Sequence, residues 1–537
     1  MLSLQDLKMS NVFKVTLLSS SIFLSVGCSE TPPDVSSGTN PSDKAAAHAE
    51  KTAGIQWFPG TVNEAFQTAK TEGKPVLLYW GAEWCPPCAQ LKATIFKQQD
   101  FIAKTGLFVP VYLDGDEPNA QEQGEKFGVR GYPTLIVFSP EGEEMTRIPG
   151  GLELDRYTKV LDLTLKDVRP VKSSFEAVLA GEAVQADDFR LLAYYSWGQD
   201  NQKVLPEEGV SEAFYSLYKA CPEDLQDVKA RLYLNYVYMR IAGLEEEEAL
   251  PLEEQQSLLA ELSTLLAIQE LVNGNLDFFF YEVESVLGAL KDVPADALQG
   301  EWLAAVQTQA DNDKLPLMER LGPLNVELGL ERFNNEGEVS AALKEKIKAR
   351  LAWADASIKN TYERQSVVNM SWGILSDAGM EAEGEALLND ALSQSKTPYY
   401  FMVSIASLAQ KAGRTDEAVE WLARAFREAE GPATRIQWGV IYLLGLVEMQ
   451  PGNDEAIKMQ TLAVLSELRS GGDYHQRNTR GMQRMSRSLL AWNESGEHSE
   501  VIASLQQTRD QKCEQLESGS PAQGNCQAFL QAEPLKS

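Results

Sequence analysis

Histidine is nearly absent. The 537-residue chain holds three, His48, His475 and His498. A zinc centre built on several imidazoles is therefore all but excluded, and no metal is expected. Positive charge is scarce as well. Lys and Arg total 48 against 78 Asp and Glu, a formal net charge of −30. That balance argues against a broad basic face for DNA, RNA or anionic lipid, and no nucleic-acid partner is expected. Cysteine is limited to six positions: Cys28, Cys85, Cys88, Cys221, Cys513 and Cys526. What is present is ordinary for soluble globular protein: 44% hydrophobic and 23% charged residues. Global disorder, collagen and a disulfide-dense miniprotein are excluded on these grounds. At roughly 100–200 residues per domain, the length allows two to four domains.

Residues 15–26, VTLLSSSIFLSV, form an apolar run behind Lys8 and Lys14. It is shorter than the roughly 20 residues of a membrane span but suits a signal-peptide core. Met9 is an alternative start. The stretch Leu24-Ser25-Val26-Gly27-Cys28 resembles a bacterial lipoprotein cleavage box. The resemblance implies that residues 1–27 leave and that the Cys28 thiol is lipidated, anchoring the chain to a membrane. Ser25 departs from it, because the family has Leu there. Plain cleavage after Gly27, giving a soluble periplasmic protein, is the alternative. Ser29 follows the cysteine in place of Asp, which favours an outer-membrane anchor facing the periplasm. Residues 28–54 are rich in Pro, Ser, Thr, Gly and Ala and read as a flexible tether.

From about 55 to 170 the pattern alternates. A helix is expected at 61–72, where Val62, Ala65, Phe66 and Ala69 share one face, and Gly73 ends it. Apolar runs at 75–80 and 107–113 suit strands, the second interrupted by Pro110. One helix is expected from the cysteines to about Lys104. A helix near 118–127, strands at 134–139 and 143–149, and a helix at 153–166 complete a βαβαββα order.

The chemistry sits in Trp84-Cys85-Pro86-Pro87-Cys88. Two cysteines three apart at a helix start can close a disulfide within one turn. Unpaired N–H groups and the helix dipole favour a thiolate on the first. Thiolate is the form that attacks a disulfide, and the second thiol can then resolve the mixed disulfide. Proline fits the first turn because its missing N–H has no partner to lose there. The same CxxC could be half a zinc site, but Cys221, Cys513 and Cys526 supply no second pair at suitable spacing. A purely structural disulfide is the other bland reading.

This segment resembles the thioredoxin superfamily. The resemblance rests on Trp-Cys-x-x-Cys after a strand, on Gly131-Tyr132-Pro133-Thr134 some 45 residues later, and on the Gly150-Gly151 pair. The opening residues, Gln56-Trp57, Glu64-Ala65 and Gly73-Lys74-Pro75-Val76-Leu77-Leu78, are similar to one branch. That branch includes the C-terminal periplasmic domain of transmembrane disulfide reductases. About 115 of the 537 residues are covered. The resemblance implies Cys85 as nucleophile, Cys88 as resolving thiol, and Trp84 as shield and partner contact. It implies a cis Pro133 beside the disulfide and Gly150 lining the same groove. Tyr132 would present its backbone to a substrate strand, or else simply pack. No cofactor is implied. One departure stands out: the family's buried Asp six residues before the first Cys is Tyr79 here. Glu83 is the nearest acid in sequence and reads equally as a solvated charge. Both residues between the cysteines are proline, which favours a reductase over an oxidase.

After Val171 strand signals fade, and 171–350 is expected to be helical. Trp197 and Trp302 are expected in its core. Over 351–510 a 34-residue spacing emerges. It separates Ala378-Gly379 from Ala412-Gly413, Ala391 from Ala425, and Pro398 from Pro432. The period resembles tetratricopeptide repeats, which implies a stacked helical surface for binding partners. A scaffold that only packs or spaces is the alternative. In the tail, 511–537, Cys513 and Cys526 read as a structural disulfide or as a regulated pair. Cys221 reads as an inert buried thiol.

The fold class expected is thus an α/β thioredoxin-like domain plus an all-α helical-repeat domain. The function expected is thiol–disulfide exchange in the bacterial cell envelope. Its partners would be protein thiols or disulfides and an upstream redox protein. The rivals are a noncatalytic assembly lipoprotein and a redox-sensing binding module.

Overall fold

The computed structural model describes residues 54–531, apart from 118–119, 130, 149–153, 201–202 and 246–247. Cys28, the cleavage box and Gly150-Gly151 lie outside the described residues. Among those described, no helix is long and apolar enough to cross a membrane.

The first domain runs α1 (Val62–Glu72), β1 (Val76–Gly81), α2 (Pro86–Ala93), α3 (Gln99–Thr105), β2 (Val109–Asp114), α4 (Ala120–Lys126), β3 (Thr134–Phe138), β4 (Glu144–Ile148) and α5 (Leu154–Thr164). Thr61 opens α1 with a capping box to Glu64, and Gly73 closes it at φ 64°. The four strands lie in the order β2-β1-β3-β4. β1 is parallel to β2 and antiparallel to β3, and β4 is antiparallel to β3. Pro110 is tolerated because β2 is an edge strand. The single helix expected after the cysteines is two. Thr94 turns its hydroxyl back onto the Gln90 carbonyl, and a short 3-10 turn at Ile95–Lys97 separates α2 from α3. That turn drops Ile95 and Phe96 into the core.

Strand alternation sorts the sheet's two faces. Val76, Leu78, Trp80, Ile136 and Phe138 pack with Val62, Ala65 and Ala69 of α1. Leu77, Tyr79, Leu135 and Val137 face the other way, onto Leu91, Phe96, Phe101 and Tyr157. That second core does not stop at residue 170. It continues through Phe175, Phe189, Trp197, Phe214 and Leu232 of the following helices. Everything described after α5 is helix, turn or loop.

Trp302 is fully buried and donates its indole N–H to the Phe279 carbonyl. Helix Ala341–Ser357 runs across position 350, so the change of pattern at 350/351 is not a structural break. Beyond it, consecutive helices pack one on the next. Four of them matter below: α6 (Thr361–Asp377), α7 (Pro398–Lys411), α8 (Pro432–Met449) and α9 (Gln476–Trp492). Pro398 and Pro432 each start a helix, where proline loses no bond. Gly379 (φ 62°) and Gly413 (φ 74°) occupy matching left-handed turns, which explains glycine at that spacing. The segment after 510 is built into the fold. Cys513 and Cys526 form a buried disulfide within the last hydrophobic cluster, with Phe529 and Leu530 beside it.

Candidate functional site

Strand β1 ends at Gly81, and a short turn delivers Cys85 to the N-cap of α2. Pro86 and Pro87 fill its first turn. Cys85 and Cys88 are joined by a disulfide. The Cys88 N–H points at Cys85 Sγ, 3.1 Å away. On reduction, that N–H and the helix dipole would stabilise negative charge on Cys85. The Tyr132–Pro133 bond is cis. Tyr132 stands edge-on to Trp84 at 5.9 Å between ring centroids. Five of the expected site residues, Trp84, Cys85, Cys88, Tyr132 and Pro133, thus meet at one end of the sheet. Gly150 and Cys28 cannot be placed with them. Cys513–Cys526 belongs to a separate cluster.

The position usually held by a buried acid is Tyr79. Its ring is fully buried and its hydroxyl has no hydrogen-bond partner among the described residues. Burial, then the charges of Asp114 and Glu83, push that hydroxyl well above its ordinary range. Tyr79 therefore cannot take a proton from a thiol near neutral pH. A buried carboxylate exists one strand over. Asp114 pairs in register with Gly81 at the end of β2 and accepts from the Tyr112 hydroxyl at 3.1 Å. Burial raises its carboxyl, partly offset by the Asp116 N–H and Lys92. Glu83 is no free surface charge: it forms a 2.9 Å ion pair with the buried Lys92.

The helical region covers this end of the sheet. Cys85 is 2% exposed, Cys88 0% and Trp84 8%. The Trp84 indole N–H donates to Thr434 Oγ1 at 2.9 Å. Its carbonyl accepts from Gln365 Nε2 at 2.6 Å, and the Pro86 carbonyl accepts from Ser366 Oγ at 3.0 Å. Trp438 stands edge-on to the Trp84 ring at 5.6 Å and Tyr400 stacks on it at 6.2 Å. The Arg477 guanidinium lies 5.2 Å from the Trp84 ring centroid and 4.7 Å from that of Tyr132. Helix α6 packs along α2, and α9 packs on α4. On α4, Glu125 meets His475 Nδ1 at 2.9 Å and the Gln476 N–H at 3.1 Å. None of these covering residues was found from sequence. Each looks like an ordinary residue of a helical region and lies at least about 280 positions from its partner. Asp114 was findable, as a charge closing the apolar run of β2.

Asp116 ties the two parts together. Thr434 donates both its N–H (2.8 Å) and its hydroxyl (2.5 Å) to the Asp116 carboxylate. Burial and the neighbouring Asp114 outweigh those bonds and push the Asp116 carboxyl up to about 6. The unfolded chain ionises Asp near 3.9. Asp116 therefore favours the folded state most below pH 4, and that contribution is lost as pH rises from about 4 to 6. Asp116→Asn keeps an acceptor for the Thr434 N–H and removes the buried charge. Relative to the parent, its urea midpoint should rise above pH 6, by the equivalent of roughly 2–3 kcal/mol at most. The gain should vanish at pH 4. A difference that stays constant across this range would remove the assignment.

Cys221 is the one free cysteine among the described residues. It is buried, and burial pushes its thiol up to about 11, far from a reactive thiolate.

Comparison with known proteins gives the same domain. Residues 62–164 match a thioredoxin-like domain family. A thiol:disulfide interchange protein DsbD of Salmonella typhimurium is 30% identical over 124 residues, 22% of this chain and 21% of the relative. DsbD 1 of Pseudomonas aeruginosa is 28% identical over 88 residues, 16% of this chain and 15% of the relative. A protein disulfide-isomerase, erp38, of Neurospora crassa is 29% identical over 117 residues, 22% of this chain and 31% of the relative. The chain thus spans less than a third of the length of each of these curated relatives. Among solved structures, a thioredoxin from Thermus thermophilus is similar at 24% identity, covering 21% of this chain and 88% of that one, with a TM-score of 0.20. The chain carries a thioredoxin-like α/β domain, followed by a predominantly helical region, and a cysteine pair consistent with thiol–disulfide oxidoreductase chemistry.

Proposed function

We propose that the protein is a thiol–disulfide oxidoreductase of the bacterial cell envelope that acts on protein clients through Cys85 and Cys88. The observation that carries this reading is Cys85 Sγ at the N-cap of α2, accepting from the Cys88 N–H and bonded to Cys88. In the reducing direction, the Cys85 thiolate attacks a client disulfide. One Cys85–client bond forms, the client S–S bond breaks, and one client thiolate leaves. The Cys88 thiolate then attacks Cys85 Sγ and releases the second client thiolate. The client gains two electrons and the Cys85–Cys88 disulfide is regenerated. An upstream protein dithiol must return those electrons.

Trp84 and Tyr132 flank the sulfurs and are the contacts a client would meet. The helical region, with its 34-residue spacing and paired helices, is read as tetratricopeptide-like and as the recruiting surface. Cys28 is read as the lipid anchor, facing the periplasm from the outer membrane. The two prolines between the cysteines offer the sulfurs no charge and no N–H of their own, which supports a reductase rather than an oxidase.

The test is the equilibrium reduction potential of Cys85–Cys88 in glutathione and dithiothreitol buffers. A value near that of thioredoxin, about −270 mV, is expected; a value near about −120 mV would make the protein an oxidant. A second reading, a redox-sensing binding module, is favoured by the burial of both sulfurs. It predicts that affinity for a partner differs between the oxidised and reduced chain.

A further inference from the structure

The helical region is attached to the sheet domain chiefly in two places, and the attachments differ in kind. One is an apolar weld. Leu77, Tyr79, Leu135 and Val137 share a continuous core with Phe175, Phe189, Trp197 and Phe214. Parting it would expose many large side chains to water, so it does not open while the domain stays folded. The other lies over the disulfide. Its apolar part is smaller than the weld: Trp84 and the two cysteines meet Tyr399, Met402, Ala425, Ala429 and Trp438, with Tyr400 half-buried beside them. The rest is polar, made by Gln365, Ser366, Thr434 and Asp116 at the cysteine turn and by His475, Gln476 and Arg477 against Gln121 and Glu125 of α4. A contact of this composition resembles interfaces between domains that move.

Exchange needs an incoming sulfur to reach Cys85 Sγ, and rate depends on that access. Here the later helices fill the approach. The Trp84 indole N–H, the Trp84 carbonyl and the Pro86 carbonyl are each satisfied by a helical residue.

We propose that α6–α9 form an intramolecular lid, closed over Cys85–Cys88 in this structure, which must lift before a client disulfide or dithiol can react. This rests on the thiol–disulfide reading above. Thr434 is the latch. Its hydroxyl accepts from Trp84 and donates to Asp116, so one side chain joins the cysteine turn, the loop after β2 and the start of α8. Gly431, at φ 85°, lets the Asp116 carboxylate seat against that start. A Cβ there would lie 2.3 Å from Asp116 Cγ. Lifting exposes polar groups that water can satisfy together with one small apolar cluster, Trp84, Tyr399, Met402 and Trp438, while the larger weld stays intact. Opening on this side is therefore the less costly motion.

The experiment follows reduction of the full chain by dithiothreitol, with timed iodoacetamide quenching and peptide mass spectrometry that scores each cysteine pair separately. Thr434→Val removes the latch hydroxyl at nearly constant volume. Trp438→Ala removes the ring facing Trp84. In Thr434→Val, Cys85–Cys88 should be reduced roughly tenfold faster than in the parent, about what one lost buried hydrogen bond allows. Trp438→Ala, which removes ring packing rather than a hydrogen bond, should accelerate it at least as much. Reduction of Cys513–Cys526 should be unchanged, which separates lid opening from global loosening. Should either variant fail to fold, the parent chain still decides the matter. Its Cys85–Cys88 reduction rate should rise with urea well below the unfolding midpoint, ahead of Cys513–Cys526. Equal Cys85–Cys88 rates in parent and folded variants, or both pairs accelerating together, would overturn the lid. A lid that opens over a pair unable to reduce insulin would leave this inference standing and sink the exchange reading instead.

Discussion

Cys85→Ser should bring disulfide exchange down to the uncatalysed background, and Cys88→Ser should turn the protein into a trap. The two sulfurs are not equivalent. Cys85 sits at the N-cap, where the Cys88 N–H reaches its sulfur and the helix dipole favours a thiolate. Cys88 lies in the first turn of α2 and is fully buried. A chain with Cys88 alone has a thiol that no incoming disulfide can reach. A chain with Cys85 alone can attack but cannot release, so the mixed disulfide accumulates. Insulin reduction driven by dithiothreitol reads the first effect, and intact-mass spectrometry of the trapped adduct reads the second. Both variants should be compared in the parent chain and in the Thr434→Val background, so that a closed lid is not mistaken for a dead site. Full exchange activity in Cys85→Ser would end the enzymatic reading, and equal trapping by the two variants would reverse the roles assigned here.

How far this was legible in the sequence depends on the range of the interaction. The cysteine turn, its prolines and the strand before it are local, and local chemistry sets them. The four strands also announced themselves, because each is a short apolar run between turn residues. The break between α2 and α3 was missed, since a threonine bonding back to the preceding turn looks like any helical threonine. The continuous core joining Tyr79 to Trp197 and Phe214 was invisible, because an apolar residue carries no mark of its partner. The same holds for the covering face. Thr434, Trp438 and Arg477 read as unremarkable members of two helices. Their meaning comes from Trp84, which lies 350 residues before Thr434. The 34-residue spacing gave the helix pairs and their glycine turns, but spacing says nothing of which face returns to the sheet.

The largest effect on stability should come from a pair that periodicity could not reveal. Arg231, 3% exposed, lies in helix Gln226–Ala242, and Asp277 lies in the short helix Leu276–Phe279. Arg231 donates from Nη1 to Asp277 Oδ1 at 2.5 Å and from Nη2 to Oδ2 at 2.6 Å. This bidentate geometry is the strongest form of such a contact. Burial alone would raise the Asp277 carboxyl, but the charge and hydrogen bonds of Arg231, with Arg156 nearby, bring it down to about 2. Asp277 therefore contributes stability that is present above about pH 4 and lost as pH falls toward 2. Arg231→Met leaves the Asp277 carboxylate, a quarter of whose side chain is exposed, without its partner. The expected loss is about 3 kcal/mol at pH 7, the lower end for a buried pair because water reaches part of Asp277, read from urea unfolding. The loss should shrink on acidification, because protonating Asp277 relieves the orphaned charge. Arg231→Met with Asp277→Leu should recover most of it, since two apolar side chains need no partner. The contact also reaches the sheet domain: Arg156 of α5 donates to the Gly274 carbonyl and lies over the Tyr194 ring. The single variant should therefore loosen the weld as well, and a double variant no more stable than the single would show that the charge pair is not what holds these helices.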